Sequence, residues 1–306
     1  MFQYFTSAFK GPAQARTDHV KAINLHPDIH SGIAQLQKQC PVQDNDTEEP
    51  IFLMSAGWRS GSTLLQRLIM SDSQVLLWGE PYDECGIIQA MADTTKAFRP
   101  NWPPSDYFYD GTPTNELSSE WIANLFPSLN ELKKSHRSFF DTLFAEPAKK
   151  AGANRWGIKE VRLGTEHCAY LRWLYPKARF IFLYRNPLKA YSSYCQYGRN
   201  WYNTFPDNTV FTPTVFGKHW KSLMEGFIKD ATKFNALLIS YEDLTSGHTS
   251  IDELNNFLNI KIDHAVLKKK VGGFEQHERK TKVTVIEKWL LKRAVSPLAE
   301  ELGYQW

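Results

Sequence analysis

The chemistry in this chain begins at Arg59 and the small residues around it. The run Ile51-Phe52-Leu53-Met54 enters the loop Ser55-Ala56-Gly57-Trp58-Arg59-Ser60-Gly61-Ser62, which opens into Thr63-Leu64-Leu65. An apolar strand, a glycine-punctuated loop and a helix start in that order make an anion cradle. Backbone amides curl round the ligand and the helix N-terminus points at it. Arg59, Ser60, Gly61, Ser62, Thr63 and Leu64 are the expected binding residues. Counted from Ala56, the ATP-type pattern would place a lysine where Ser62 stands, and Arg59 is the cation inside the loop. The expected ligand is an anionic nucleotide other than ATP.

A second anion site is expected at Phe180-Ile181-Phe182-Leu183-Tyr184-Arg185-Asn186-Pro187. Arg185 ends an apolar strand, Asn186-Pro187 starts a helix, and Ser193 falls about two turns into it. A guanidinium fork and a hydroxyl placed so can grip a phosphate separate from the first. Taken alone, a surface arginine before a helix-starting proline is the more ordinary reading.

Positioning these groups requires an α/β fold with a central, largely parallel sheet flanked by helices. Short apolar runs at 51–54, 75–78, 156–159, 179–184 and 236–240 read as strands covered on both faces. Helical stretches are expected at 63–70, 81–91, 166–174, 188–197, 214–234 and 251–258. A last helix at 283–302 should break near Pro297. An amphipathic helix at 28–39 precedes a polar linker, so residues 1–50 read as an N-terminal extension and 51–306 as the main domain. Two aromatic-rich segments, 93–150 and 199–213, interrupt the rhythm where parallel sheets recognise substrates, with surface decoration as the competing reading. A net charge of +3 without long single-sign blocks gives no support for nucleic-acid or membrane binding. The four scattered cysteines form no metal or redox spacing. No signal-like leader or membrane span is read, which makes a cytoplasmic enzyme the default expectation.

The two phosphate motifs together resemble those of the sulfotransferases that use 3′-phosphoadenosine 5′-phosphosulfate (PAPS). Further segments carry the likeness: Trp78-Gly79-Glu80-Pro81, Gly157-Ile158-Lys159-Glu160, Tyr241-Glu242-Asp243-Leu244, and the tail from Val285 to Tyr304. Their order is most similar to the tyrosylprotein and related bacterial enzymes, over about residues 51–304. Asn186 stands where the family usually has aspartate.

The resemblance implies a P-loop-like sulfotransferase fold with inserted aromatic acceptor loops. It implies PAPS as donor, 3′-phosphoadenosine 5′-phosphate (PAP) as product, and no required metal. A sulfuryl group carries less negative charge than a γ-phosphoryl group, which accounts for the absent lysine. Arg59 to Leu64 would hold the 5′-phosphosulfate, and Arg185 with Ser193 the 3′-phosphate, with Tyr241 nearby. Glu80 would be the general base, with Asp83 and Glu84 as neighbouring alternatives. As a competing role, Glu80 would only cap a helix starting at Pro81. Lys159 would stabilise the transferring group. Arg162 is a weaker candidate, and His167, His219, His248 and His277 match no motif. The loop at 272–282 would close over the nucleotide through Arg279 and Thr281, with Lys288 joining from the helix behind; a solvated charge run is the alternative.

The expected activity is sulfuryl transfer to a hydroxyl, amine or guanidinium of a small, aromatic or cationic, natural-product-like acceptor. The aromatic loops with Asp106 and Asp110 suit such a molecule. A Mg²⁺-dependent phosphotransferase and a non-catalytic nucleotide-binding protein remain as alternatives.

Overall fold

The computed structural model describes residues 28–39, 47–82, 85–99, 102–196, 210, 212–247, 251–268 and 282–306. Five strands form one parallel sheet: β1 (Ile51–Ser55), β2 (Val75–Trp78), β3 (Arg155–Glu160), β4 (Arg179–Tyr184) and β5 (Leu237–Ser240), in the order β2-β3-β1-β4-β5. All five fall where apolar runs predict them. Alternation along each strand explains why they are apolar throughout. Phe52, Met54, Phe180 and Phe182 face one core, and Ile51, Leu53, Ile181 and Leu183 face another.

The first core is the larger and more aromatic. It takes helix α1 (Ile29–Gln39) through Ile29, Ile33 and Leu36, so this part of the N-terminal extension packs on the same sheet. Helices α4 (Leu129–Phe140) and α5 (Glu146–Lys150), joined by the π turn Asp141–Ala145, cover that face together with α6 (Thr165–Leu174) and α8 (Pro213–Asp230). Helix α7 (Pro187–Gln196) follows β4. The second core is closed by α2 (Ser62–Ile69), through Leu65, Leu68 and Ile69, and by α10 (Ile251–Leu258), through Leu254 and Leu258. Helix α9 (Tyr241–Ser246) follows β5. The last helix is divided as expected, into α11 (Val285–Val295) and α12 (Leu298–Glu301), with Pro297 at the break.

One predicted helix is different. The stretch expected at 81–91 begins only at Ile87, where α3 (Ile87–Asp93) starts after Gly86. Tyr82 and Gly86 both adopt positive φ, 58° and 56°, which a continuous right-handed helix excludes. Among the described residues, no helix is long and apolar enough to cross a membrane.

Candidate active site

Every strand delivers a candidate residue at its C-terminal end. Beyond β1 lies the anion loop, beyond β2 Glu80, at the end of β3 Lys159 and Glu160, beyond β4 Arg185, and beyond β5 Tyr241. Trp58, Arg59, Gly61, Ser62, Thr63, Leu64, Glu80, Val161, Arg185 and Tyr241 line one cleft of about 240 Å³. A larger cleft, about 860 Å³, lies at the opposite, N-terminal end of the strands among residues such as Glu49, Asp72 and Arg155. The crevice beyond strand C-termini is where open α/β sheets bind ligands, and the candidate groups gather there.

The loop's backbone turns tightly. Gly57, Arg59 and Gly61 all have positive φ, at 80°, 61° and 93°. Arg59 holds that conformation at a steric cost glycine would escape, as functional loops often do. The loop is braced from within: Ser60 Oγ donates to the Gly57 carbonyl at 3.0 Å and shares a short hydrogen bond with Ser55 Oγ. From behind, Trp58 packs against His219 (5.0 Å between centroids) and Tyr194 (6.2 Å). Burial drives the His219 pKa down to about 4, so the ring is a neutral support at physiological pH.

The two phosphate motifs interlock through Arg59. Its Nε donates to Ser193 Oγ at 3.1 Å, while Arg185 Nη1 donates to the Arg59 carbonyl at 2.9 Å. The Arg185 guanidinium stacks 4.3 Å from the Tyr241 ring centroid, and Trp220 Nε1 holds the Arg185 carbonyl at 3.1 Å. Asn186 caps α7, its Oδ1 accepting from the Leu188 and Lys189 amides at 3.0 and 3.1 Å. Asparagine offers the same capping oxygen as aspartate, so the departure at this position keeps the local geometry. Glu242 bonds the Asn186 amide (3.3 Å) and accepts from Tyr304 Oη (3.1 Å).

The site fits a bound anion on two counts. Gly61, the residue before α2, provides no side-chain cap; the Leu64 amide turns back to the Gly61 carbonyl at 2.9 Å, while Ser62 and Thr63 precede any residue with an intrahelical acceptor. Arg185 Nε is buried with no hydrogen-bond partner. Both leave donors at a cleft holding Arg59 and Arg185.

Glu80 does not cap a helix, since none begins at Pro81. Its carboxylate is gripped on both oxygens: Lys159 Nζ lies 2.5 Å from Oε1 and Arg162 Nη2 lies 3.3 Å from Oε2. Lys159 and Arg162 expose only 7% and 3% of their side chains, against 22% for Glu80, so the acid is the accessible member. Arg162, the weaker candidate from sequence, is thus part of the same cluster. Glu160, which sequence reasoning missed, stands behind it. Oε1 of Glu160 meets Arg162 Nη1 at 3.4 Å, and Oε2 accepts from the Val161 and Arg162 amides at 3.0 and 3.2 Å. Burial, with the nearby Glu80 charge, raises its pKa to about 8. A run of charged residues at a buried strand end, Lys159-Glu160 then Arg162, was the available signal.

Other candidates lie apart. Lys288 is exposed on α11 and is not among the cleft-lining residues. Arg279, Thr281, Asp83, Glu84, His248 and His277 lie outside the described residues, as does most of the segment at 199–213. His167 pairs with Glu166 at 3.2 Å, away from the cleft lining.

The model of the sulfotransferase family matches residues 50–263, and the chain belongs to that family. It is a transferase enzyme with the family's P-loop-like fold. Among solved structures, the chain is similar to the sulfotransferase domain from the curacin biosynthetic pathway (14% identity, 85% of this chain and 99% of that one, TM-score 0.48). It is also similar to the sulfotransferase domain of the Synechococcus PCC 7002 olefin synthase (14%, 86% and 98%, TM-score 0.45). A mouse sulfotransferase complexed with PAP matches at 16% identity over 78% of this chain and 66% of that one, TM-score 0.37. No match was found among curated proteins.

Proposed function

We propose that the enzyme transfers a sulfuryl group from PAPS to a hydroxyl, amine or guanidinium of a small molecule, with Glu80 as general base. The single observation carrying this is the convergence of Glu80 and the anion loop on one cleft, with Lys159 bonded to Glu80 from the end of β3. Loop amides from Arg59 to Leu64 hold the 5′-phosphosulfate, and the α2 N-terminus stabilises charge there. Arg185, with its buried Nε donor, holds the 3′-phosphate, with Ser193 and Tyr241 beside it. Glu80 takes the proton as the acceptor's oxygen or nitrogen attacks sulfur. The sulfur–oxygen bond to the 5′-phosphate breaks, and PAP leaves. Lys159, already 2.5 Å from Glu80, stabilises the transferring group. No residue role here calls for a metal. Arg279 and Thr281 are further nucleotide contacts on the family resemblance alone, and the catalytic domain spans 51–306 and acts in the cytoplasm.

The acceptor's class is supported by the inserted segment. Trp102, Tyr107, Phe108 and Phe126 pack edge to face there, and the same stretch of chain carries the exposed Asp106 and Asp110, the latter accepting from Thr112. Aromatic faces and carboxylates together suit a flat or cationic small molecule.

The test is PAP binding by calorimetry, followed by an acceptor screen with radiolabelled PAPS on wild type and Glu80→Gln. PAP should bind both proteins, and Glu80→Gln should lose about 10²–10⁴-fold in kcat. Failure of the wild type to bind PAP overturns the reading, and full transfer by Glu80→Gln removes Glu80 as base.

A further inference from the structure

Arg162 is shared between two carboxylates of different exposure. Nη2 faces Glu80, whose side chain is 22% exposed, and Nη1 faces Glu160, which is 4% exposed. Both amides after Glu160 bond its other oxygen, so the carboxyl is fixed from its own backbone. Glu80 has no such backbone anchor among the described bonds and depends on Lys159 and Arg162 for its position.

We propose that Glu160 is a positioning residue that sets the base strength of Glu80 through Arg162. The inference rests on Glu80 being the base. Among the described residues, the charged and titratable groups around Glu160 are Lys159 and Arg162 from its own strand end, Glu80 from beyond β2, and His219 of α8, which lies near Arg162. His219 is neutral, leaving two cations and two carboxyls. With Glu160 ionised the cluster is neutral, and protonating Glu80 takes it to one positive charge. With Glu160 protonated the cluster already carries one positive charge, and the same step takes it to two. A proton on Glu80 is therefore easier to hold when Glu160 is ionised. Protonating Glu160 also removes one negative partner from Arg162, so more of that cation's charge faces Glu80.

The consequence is a second limb in the pH–rate profile. Glu160 has a pKa of about 8, so it ionises on the alkaline side of neutrality. Wild-type kcat should rise again through that region by about threefold, as the partial Brønsted response of a base whose neighbour has ionised.

The experiment measures kcat against pH, from pH 6 to pH 9.5, for wild type, Glu160→Gln, Glu160→Asp and Glu80→Gln, with PAP affinity as a separate readout. Glu160→Gln should bind PAP as wild type does, lose the alkaline rise and stay at the lower rate; Glu160→Asp should restore a rise. A wild-type profile without that limb, or a Glu160→Gln profile that keeps it, overturns the proposal. If Glu160→Gln does not fold, Glu160→Asp with a limb unmoved from wild type also overturns it, and a displaced limb supports it. Glu80→Gln separates the readings: if it is as active as wild type, the base assignment fails whatever Glu160 does.

Discussion

Gly61→Ala strikes the point where the anion loop, the α2 N-terminus and the end of β5 meet. Gly61 sits at φ 93°, and a methyl built on it would lie 2.1 Å from Tyr241 Cδ2 and 2.6 Å from Cε2. Two costs are separable. Holding alanine in left-handed backbone costs about 1–2 kcal/mol. Ordinary carbon contact needs about 3.5–4 Å, so the ring must retreat by roughly 1.5 Å, and overpacking of this kind costs about 1–3 kcal/mol. Tyr241 cannot retreat alone, because Arg185 stacks on its ring at 4.3 Å and also holds the Arg59 carbonyl. The overlap therefore spreads to both phosphate motifs. A double-mutant cycle of Gly61→Ala and Tyr241→Ala, read by urea unfolding, isolates the second cost. Gly61→Ala should lose about 2–5 kcal/mol in the wild-type background and about 1–2 kcal/mol in the Tyr241→Ala background, a coupling of about 1–3 kcal/mol. PAP affinity should fall about tenfold or more in the single variant. Strict additivity would refute the reasoning, because the ring would then not limit the loop's approach.

Two further outcomes test the frame around the site. Gly157→Ala would place a methyl 2.1 Å from the Ile51 carbonyl, a backbone atom inside the sheet, and should cost about 3 kcal/mol or more in denaturant unfolding; a loss below about 1 kcal/mol contradicts the β1–β3 packing. His219 has a folded pKa of about 4 against an ordinary 6.5, so the native state binds fewer protons and the stability this contributes, complete above pH 6.5, is lost as the pH falls toward 4. Wild type should lose up to about 3 kcal/mol more than His219→Phe between pH 7 and pH 4, measured as urea midpoints at each pH; parallel losses would show that His219 is not held neutral.

The strands were legible because both faces of the sheet are covered, which makes each strand a continuous apolar run. The anion loop was legible because its glycines answer a backbone requirement: Gly57 and Gly61 both take positive φ. The helix expected at 81–91 failed for the same kind of reason read too weakly, since Gly86 and the turn at Tyr82 reset the chain before α3. The cluster around Glu80 was only half visible. Lys159 and Glu80 stood in recognisable segments, but nothing local joins residues some eighty positions apart. Pairing of Trp78 with Ile158 does so, since it sets Glu80 level with the end of β3. The role of Glu160 needed that register and the bend after β3, which bring Glu160 and Arg162 to a common partner.

Strand order explains why one end of the sheet carries the chemistry. From central β1 the chain crosses outward to β2 and returns to β3, then passes over β1 to β4 and on to β5. The connections leaving β1 and β3 therefore run to opposite sides, which opens a crevice beyond their C-terminal ends. Parallel strands place the loop, Lys159 and Arg185 at the mouth of that crevice, whatever their separation in the chain. Glu80 and Tyr241 close it from the flanking strands β2 and β5. An acid beside an anion site would repel the ligand if left alone. Here Lys159 and Arg162 hold the Glu80 carboxylate from the β3 side, opposing that repulsion while leaving the acid accessible. Once ionised, on the alkaline side of neutrality, the buried carboxyl of Glu160 limits how much of the Arg162 charge falls on Glu80. A base must keep enough basicity to accept a proton, and a third partner for the cation is one way this fold can preserve it.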